Sequence, residues 1–207
     1  MRVIDHLVYA VPDLEKAMDD FENLTGIRPT FGGYHTTKGT KNAVVNLGNA
    51  CYLEFLAIDE NNEKISAPRW MGIDFIEKTQ MTRFALKSEN LEKDSAILKK
   101  YAAEMGEISG GARKTSDDKL LKWEMILPLA APAVEIAPFM CDWSQSEVHP
   151  TDSMPQECEL IGLHFTHTHP ESVTSLFNEL DVDLNVIEGE KATIIAEINT
   201  PKGVFKL

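Results

Sequence analysis

"VIDHLVYAVPDLEKAM", residues 3–18, sets a histidine inside an apolar strand and then stops that strand at a proline. Val3, Ile4, Leu7, Val8, Ala10 and Val11 make a short run rich in β-branched side chains, the composition of a buried strand. Asp13 is placed to cap a following helix, in which Leu14, Ala17, Met18 and Phe21 recur at helical spacing. Alternation along the strand puts His6 on the face of Ile4, Val8 and Ala10. A buried imidazole in that place is either a hydrogen-bonded core residue or a ligand.

Beyond the helix, Gly26 reads as its C-cap, and strands are expected around 31–36, over "NAVVNLG" (42–48) and over "CYLEFLAID" (51–59). A polar connector fills 60–80, and the pattern then begins again. "DHLVYAVPDLEK" (5–16) lies over "TRFALKSENLEK" (82–93) at an offset of 77. A second helix near 90–105 ends at Gly106, strands follow around "GARKT" and "LLKWEMILP", and "PAVEIAPFMCDW" closes the unit. There "YLEFLAI" (52–58) lies over "AVEIAPF" (133–139) at an offset of 81, which pairs Glu54 with Glu135. The shared order of elements points to an internal duplication. After "SQSEVHPTDSMPQE" (144–157), "HLVYAVPD" (6–13) lies over "HFTHTHPE" (164–171), the start of a shorter third copy. The reading is an α+β chain: a domain over 1–143 made of two βαβββ modules (1–60 and 81–143), then a partial module over 158–207.

Composition narrows the function. A formal charge of -13 disfavours nucleic acid and anionic membranes as partners. No stretch approaches the ~20 consecutive apolar residues of a membrane span. "MRVIDHL" enters a strand directly, without a signal-peptide layout, and Cys51, Cys141 and Cys158 show no CxxC spacing; both fit reduced thiols in a cytoplasmic protein. No serine- or cysteine-centred triad is legible, and neither a Walker nor a dinucleotide glycine motif occurs.

Strand, helix and three strands in tandem, with "DHLVYAV" followed about 45 residues later by "YLEF", resemble the glyoxalase and bleomycin-resistance class, the vicinal oxygen chelate superfamily. "GGYHTTKGTKN" (32–42) and "APFMCDW" (137–143) look like its glyoxalase-like subgroup. The resemblance implies a curved sheet around a cup that often holds one divalent metal, with ligands on the first and last strand of each module. It places His6 and Glu54 as ligands, with zinc, nickel, manganese or ferrous iron suited to nitrogen and oxygen donors. In the second module Glu135 takes the last-strand position, and Arg83 falls where a first-strand ligand would stand. A guanidinium cannot ligate a metal, so His35 is the candidate that completes the set.

Arg83 would instead orient an anionic group, and Glu135 would move a proton. Gly39, Thr40 and Asn42 are turn formers first and substrate contacts second, and Trp123 and Trp143 are candidates for the cup wall. His164 is a minor candidate by its place in the third copy. The function implied is a metal-assisted lyase or isomerase acting on a small oxygenated substrate through Lewis acidity. Its competitor is a metal-free binding or sequestering protein of the same fold. Modules of this class pair within or between chains, so a homodimer is admitted.

Overall fold

In the computed structural model, residues 2–114 and 118–207 are described. The opening stretch is strand β1 (Ile4–Ala10), and Asp13 caps helix α1 (Leu14–Thr25), its side chain accepting from Lys16 N. Gly26 ends the helix in the left-handed conformation that glycine adopts without a Cβ clash. β2 (Thr30–His35), β3 (Thr40–Gly48) and β4 (Cys51–Ile58) follow. The second unit repeats the order with β5 (Gln80–Lys87), α2 (Leu91–Tyr101), β6 (Ile108–Lys114), β7 (Leu120–Ile126) and β8 (Phe139–Asp142).

These strands form one eight-stranded sheet in the order β2-β3-β4-β1-β5-β8-β7-β6. In each unit the first strand runs parallel beside the last, and β1 and β5 meet antiparallel at the centre. Two copies of one module, joined at their first strands, account for this order.

The last strand of the second module departs from the expected one. β8 begins at Phe139, and residues 127–138, with Pro128, Pro132 and Pro138, are irregular. Proline gives no N–H to a ladder, and three within eleven residues cannot sit in an inner strand. On the observed register Val8 pairs with Glu54 and Ala85 with Phe139. The position matching Glu54 is therefore Phe139, and Glu135 stands before the strand.

The third segment keeps the order of elements: β9 (Glu159–His167), α3 (Pro170–Glu179), β10 (Val186–Glu188), β11 (Thr193–Thr200) and β12 (Gly203–Lys206). It forms its own sheet, β10-β9-β11-β12, in which the first strand lies between the second and third rather than beside the last.

The eight-stranded sheet has two buried faces. One carries Leu7, Phe55, Phe84 and Leu86 in a cluster shared with α1, α2 and the C-terminal segment. Phe84 meets Phe165 and Phe177 at 5.0 and 6.1 Å between ring centroids, and Phe21 meets Phe205 at 5.7 Å. On the other face Val8, Ala10, Leu56, Ala85 and Phe139 pack beneath Met71 and Ile73 of a 3-10 segment (Trp70–Phe75). This concave face carries His6. Among the described residues no helix is long and apolar enough to cross a membrane.

Candidate functional site

A cavity of about 520 Å³ opens on the concave face, and its floor is built by β1, β3 and β4. His6 lies opposite Tyr52 in the parallel pair, and the two rings stack at 4.6 Å and 13°. Glu54 is two residues further along β4 on the same face, 4% exposed. His35, at the end of β2, reaches it from the side through a hairpin turned at Gly39, whose φ of +68° favours glycine.

His6 Nε2 and His35 Nε2 each stand 3.8 Å from Glu54, one at each carboxylate oxygen. Asn42 Nδ2 donates to Glu54 Oε1 at 2.7 Å and lies 3.5 Å from His35 Nε2. Gly32 makes room for that amide, since a Cβ there would fall 2.4 Å from Asn42 Oδ1. Behind His35, Thr40 Oγ1 lies 2.9 Å from Nδ1 and accepts from Trp70 Nε1 at 3.1 Å.

His6 is held from behind by Asp5, a residue that strict alternation sends to the opposite face. The β1–β5 register shifts between Ile4 and His6, which leaves Asp5 without a partner opposite. Such a bulge re-aims side chains, and here it brings neighbours together. Asp5 Oδ2 lies 2.7 Å from His6 Nδ1, and Oδ1 accepts from Trp143 Nε1 at 2.9 Å. His149 Nε2 approaches the same Oδ1 at 3.5 Å. Burial alone would raise the Asp5 carboxyl, but His149 and His6 outweigh it and hold the group down at about 2. An ionised Asp5 accepts a hydrogen bond from Nδ1–H of His6, so the lone pair of that ring is presented at Nε2, on the Glu54 side.

The placement of the expected residues divides them. His6, His35, Glu54 and Asn42 converge on the floor, Trp123 and Trp143 line the walls, and Thr40 and Gly39 support His35 from outside the lining. Arg83 and Glu135 are not among the lining residues. Arg83 shares the face of Val8, opposite it in β5, yet its guanidinium is capped by the 127–138 segment. It donates to the carbonyls of Thr82, Leu129, Pro132 and Ala133 at 2.7 to 3.2 Å. Burial pulls this group down to about 10, partly offset by Glu135. The Glu135 carboxylate accepts from Ala137 N and helps to raise Tyr101, on α2, to about 12 after the larger effect of burial. Glu135 thus stands outside the cavity lining, and the expected anion clamp and proton-transfer acid both belong to the packing of the 127–138 segment.

His149 and Trp70 also line the cavity and lay in stretches read as connectors. No periodicity marks them; a histidine and a tryptophan among polar residues was the available signal. His164 is exposed and pairs with Glu197 at 3.5 Å, far from this floor in the fold.

Two donor sets could hold a metal. Among the described residues, Asp5, His6 and Cys141 bring ligand atoms within 4.8 Å of one another. That set is closed: Asp5 is engaged by Trp143 and His6, burial pushes the Cys141 thiol well above its usual value, and neither residue lines the cavity. His6, His35 and Glu54 instead offer two imidazole nitrogens and a carboxylate open to the cavity, with the His6 tautomer already set. Among the described residues only the first set brings its three ligand atoms within 4.8 Å of one another, and only the second lines the cavity throughout.

Two tandem βαβββ modules curled around one such cavity define the vicinal oxygen chelate fold. Residues 4–180 match the family model of the glyoxalase-like domain, and the chain belongs to that family. A hypothetical protein from Staphylococcus aureus superposes with a TM-score of 0.66 at 15% identity, over 100% of this chain and 98% of that one. Methylmalonyl-CoA epimerase from Mycobacterium tuberculosis gives 0.42 at 17%, over 67% and 86%. A hypothetical protein from Bacillus halodurans gives 0.43 at 13%, over 68% and 94%. No curated protein matches the sequence.

Proposed function

We propose that the chain is a small-molecule enzyme with a divalent metal centre on His6, His35 and Glu54, working in lyase- or isomerase-type chemistry. The observation that carries this is the convergence of two imidazole Nε2 atoms, each 3.8 Å from a different oxygen of one buried carboxylate, on the floor of a cavity. A zinc, nickel, manganese or ferrous ion there would supply Lewis acidity toward a carbonyl or hydroxyl oxygen of the substrate. The protein's own contributions are separate. Asp5 fixes the His6 tautomer, Asn42 orients Glu54, Thr40 backs His35, and the aromatic walls exclude water. Arg83 lies under its carbonyl cap, so its guanidinium does not oppose a cation at the floor.

The metal-free binding protein remains the second reading, favoured by Asn42. Its amide already joins Glu54 to His35, which gives the buried carboxylate a partner without an ion. Calorimetric titration of zinc, nickel, manganese and ferrous iron into chelator-stripped protein separates the two. The expected result is one ion per chain, with affinity reduced at least about 100-fold in each of His6→Ala, His35→Ala and Glu54→Gln. Tight binding that survives His6→Ala sinks the proposed centre, and no binding by the native chain leaves the metal-free reading in its place.

A further inference from the structure

Above its polar floor the cavity is walled by indoles, and each is fixed from outside it. Trp143 donates its N–H to Asp5 and Trp70 donates its N–H to Thr40, so both turn their polar atom away and offer carbon surface. Trp123 is seated differently. Its cross-strand partner is Gly111, where a Cβ would lie 2.5 Å from indole Cζ2 and 2.7 Å from Cε2. The ring therefore lies across bare backbone with Trp143 6.0 Å away and tilted by 49°, and because both indoles line the cavity, the part of Trp123 left uncovered is what a ligand meets. A glycine in an outer strand covered by a facing aromatic strengthens the sheet as well, so ring placement and ligand binding need separate readouts.

The charged lining adds a second constraint. Of the cationic side chains expected to meet an anion, Arg83 is absent from the lining, which carries Glu54 and Asp152 against Lys119. In the metal-free cavity a negative charge above the floor would face two carboxylates and one ammonium, so the preference for a neutral compound is a property of that state. A saturated skeleton would fill the volume without the stacking that fixed indoles reward.

We infer that the cavity takes an uncharged, flat aromatic ring compound stacked on Trp123. This rests on the reading of the cavity as a small-molecule site and names the class of compound it accepts. The metal enters neither the stacking nor its test.

Three probes of one skeleton vary a single property at a time: 2-naphthol is flat and neutral, 2-naphthoate flat and anionic, and 2-decalol neutral and saturated. Equilibrium dialysis against chelator-treated full-length protein should show 2-naphthol bound about tenfold more tightly than either of the others. Trp123→Leu should weaken 2-naphthol about tenfold, Trp123→Phe should recover most of that, and Gly111→Ala should weaken it with the indole retained. Thermal unfolding identifies any variant that fails to fold, and Trp70→Leu then serves as the second wall variant. Because the dialysis uses chelator-treated protein and the metal is titrated separately by calorimetry, the two readings fail separately. Equal affinity for 2-decalol or 2-naphthoate, or 2-naphthol binding indifferent to Trp123→Leu, overturns the inference.

Discussion

A carboxylate buried as deeply as Asp5 stays ionised only because donors surround it, and that gives it two measurable consequences. The first concerns pH. Its folded value of about 2 lies below the ordinary 3.8, so its contribution to stability is complete above about pH 4. It is lost as pH falls from 3.8 through 2, and the difference corresponds to roughly 2 kcal/mol. Urea unfolding of the metal-free chain between pH 5 and 2 should therefore fall more steeply for the native protein than for Asp5→Asn, by about that amount. Equal slopes would mean that the carboxylate titrates normally. The second concerns ligation: Asp5→Asn offers an amide that can donate to Nδ1 and turn the His6 lone pair away from Glu54. Metal affinity by calorimetry should drop by about 10- to 100-fold although no ligand has been removed. At this scale His6 and Glu54 were readable from sequence, because polar residues in apolar strands stand out. Asp5 was not, since a bulge abolishes the alternation by which its face was assigned.

At the scale of elements, strand β5 and the 127–138 segment show where a repeat misleads. The offset of 77 correctly aligns β1 with β5, and the order of strands around the centre follows from it. The offset of 81 pairs Glu54 with Glu135 by likeness of letters, but Pro128, Pro132 and Pro138 had already excluded a continuous inner strand there. The observed register moves the match to Phe139 and frees the segment to fold over Arg83. The guanidinium then works as a clip, satisfying carbonyls of a proline-rich stretch that has few N–H partners of its own. Arg83→Met should remove the donor from the Pro132 and Ala133 carbonyls, while Leu129 and Thr82 keep the amides of Met71 and Glu135, at a loss of about 2 kcal/mol in urea unfolding. Arg83→Lys should recover less than half of it, because an ammonium lacks the planar fork that reaches several carbonyls at once. Full recovery by lysine would show that charge alone holds the segment.

For the whole molecule, the question is what the C-terminal segment contributes to a cavity it does not line. Its β9 and α3 place Phe165 and Phe177 on Phe84, and β12 places Phe205 against Phe21, all on the face of the large sheet opposite His6. Two βαβββ modules carry one helix each, and α1 and α2 leave the centre of that face, around Leu7 and Phe84, for a third body to cover. The small sheet does so, and its residues join the same buried cluster as those of both modules. The apolar alternation in "ATIIAEIN" marks β11, whereas the pairing of β9 between β10 and β11 depends on what it packs against and left no local mark. Phe165→Ala should cost about 3–5 kcal/mol by opening a cavity in this layer, yet leave metal and 2-naphthol affinity of the folded fraction unchanged. A chain ending at residue 157 would bare a contiguous apolar surface of the kind that drives association. It should bind an apolar dye, lose its single cooperative unfolding transition and elute as oligomers, while the full chain does none of these. A shortened chain that stays monomeric and unfolds as sharply as the native one would show that the two modules are self-sufficient, and that the third segment serves some end other than covering their back.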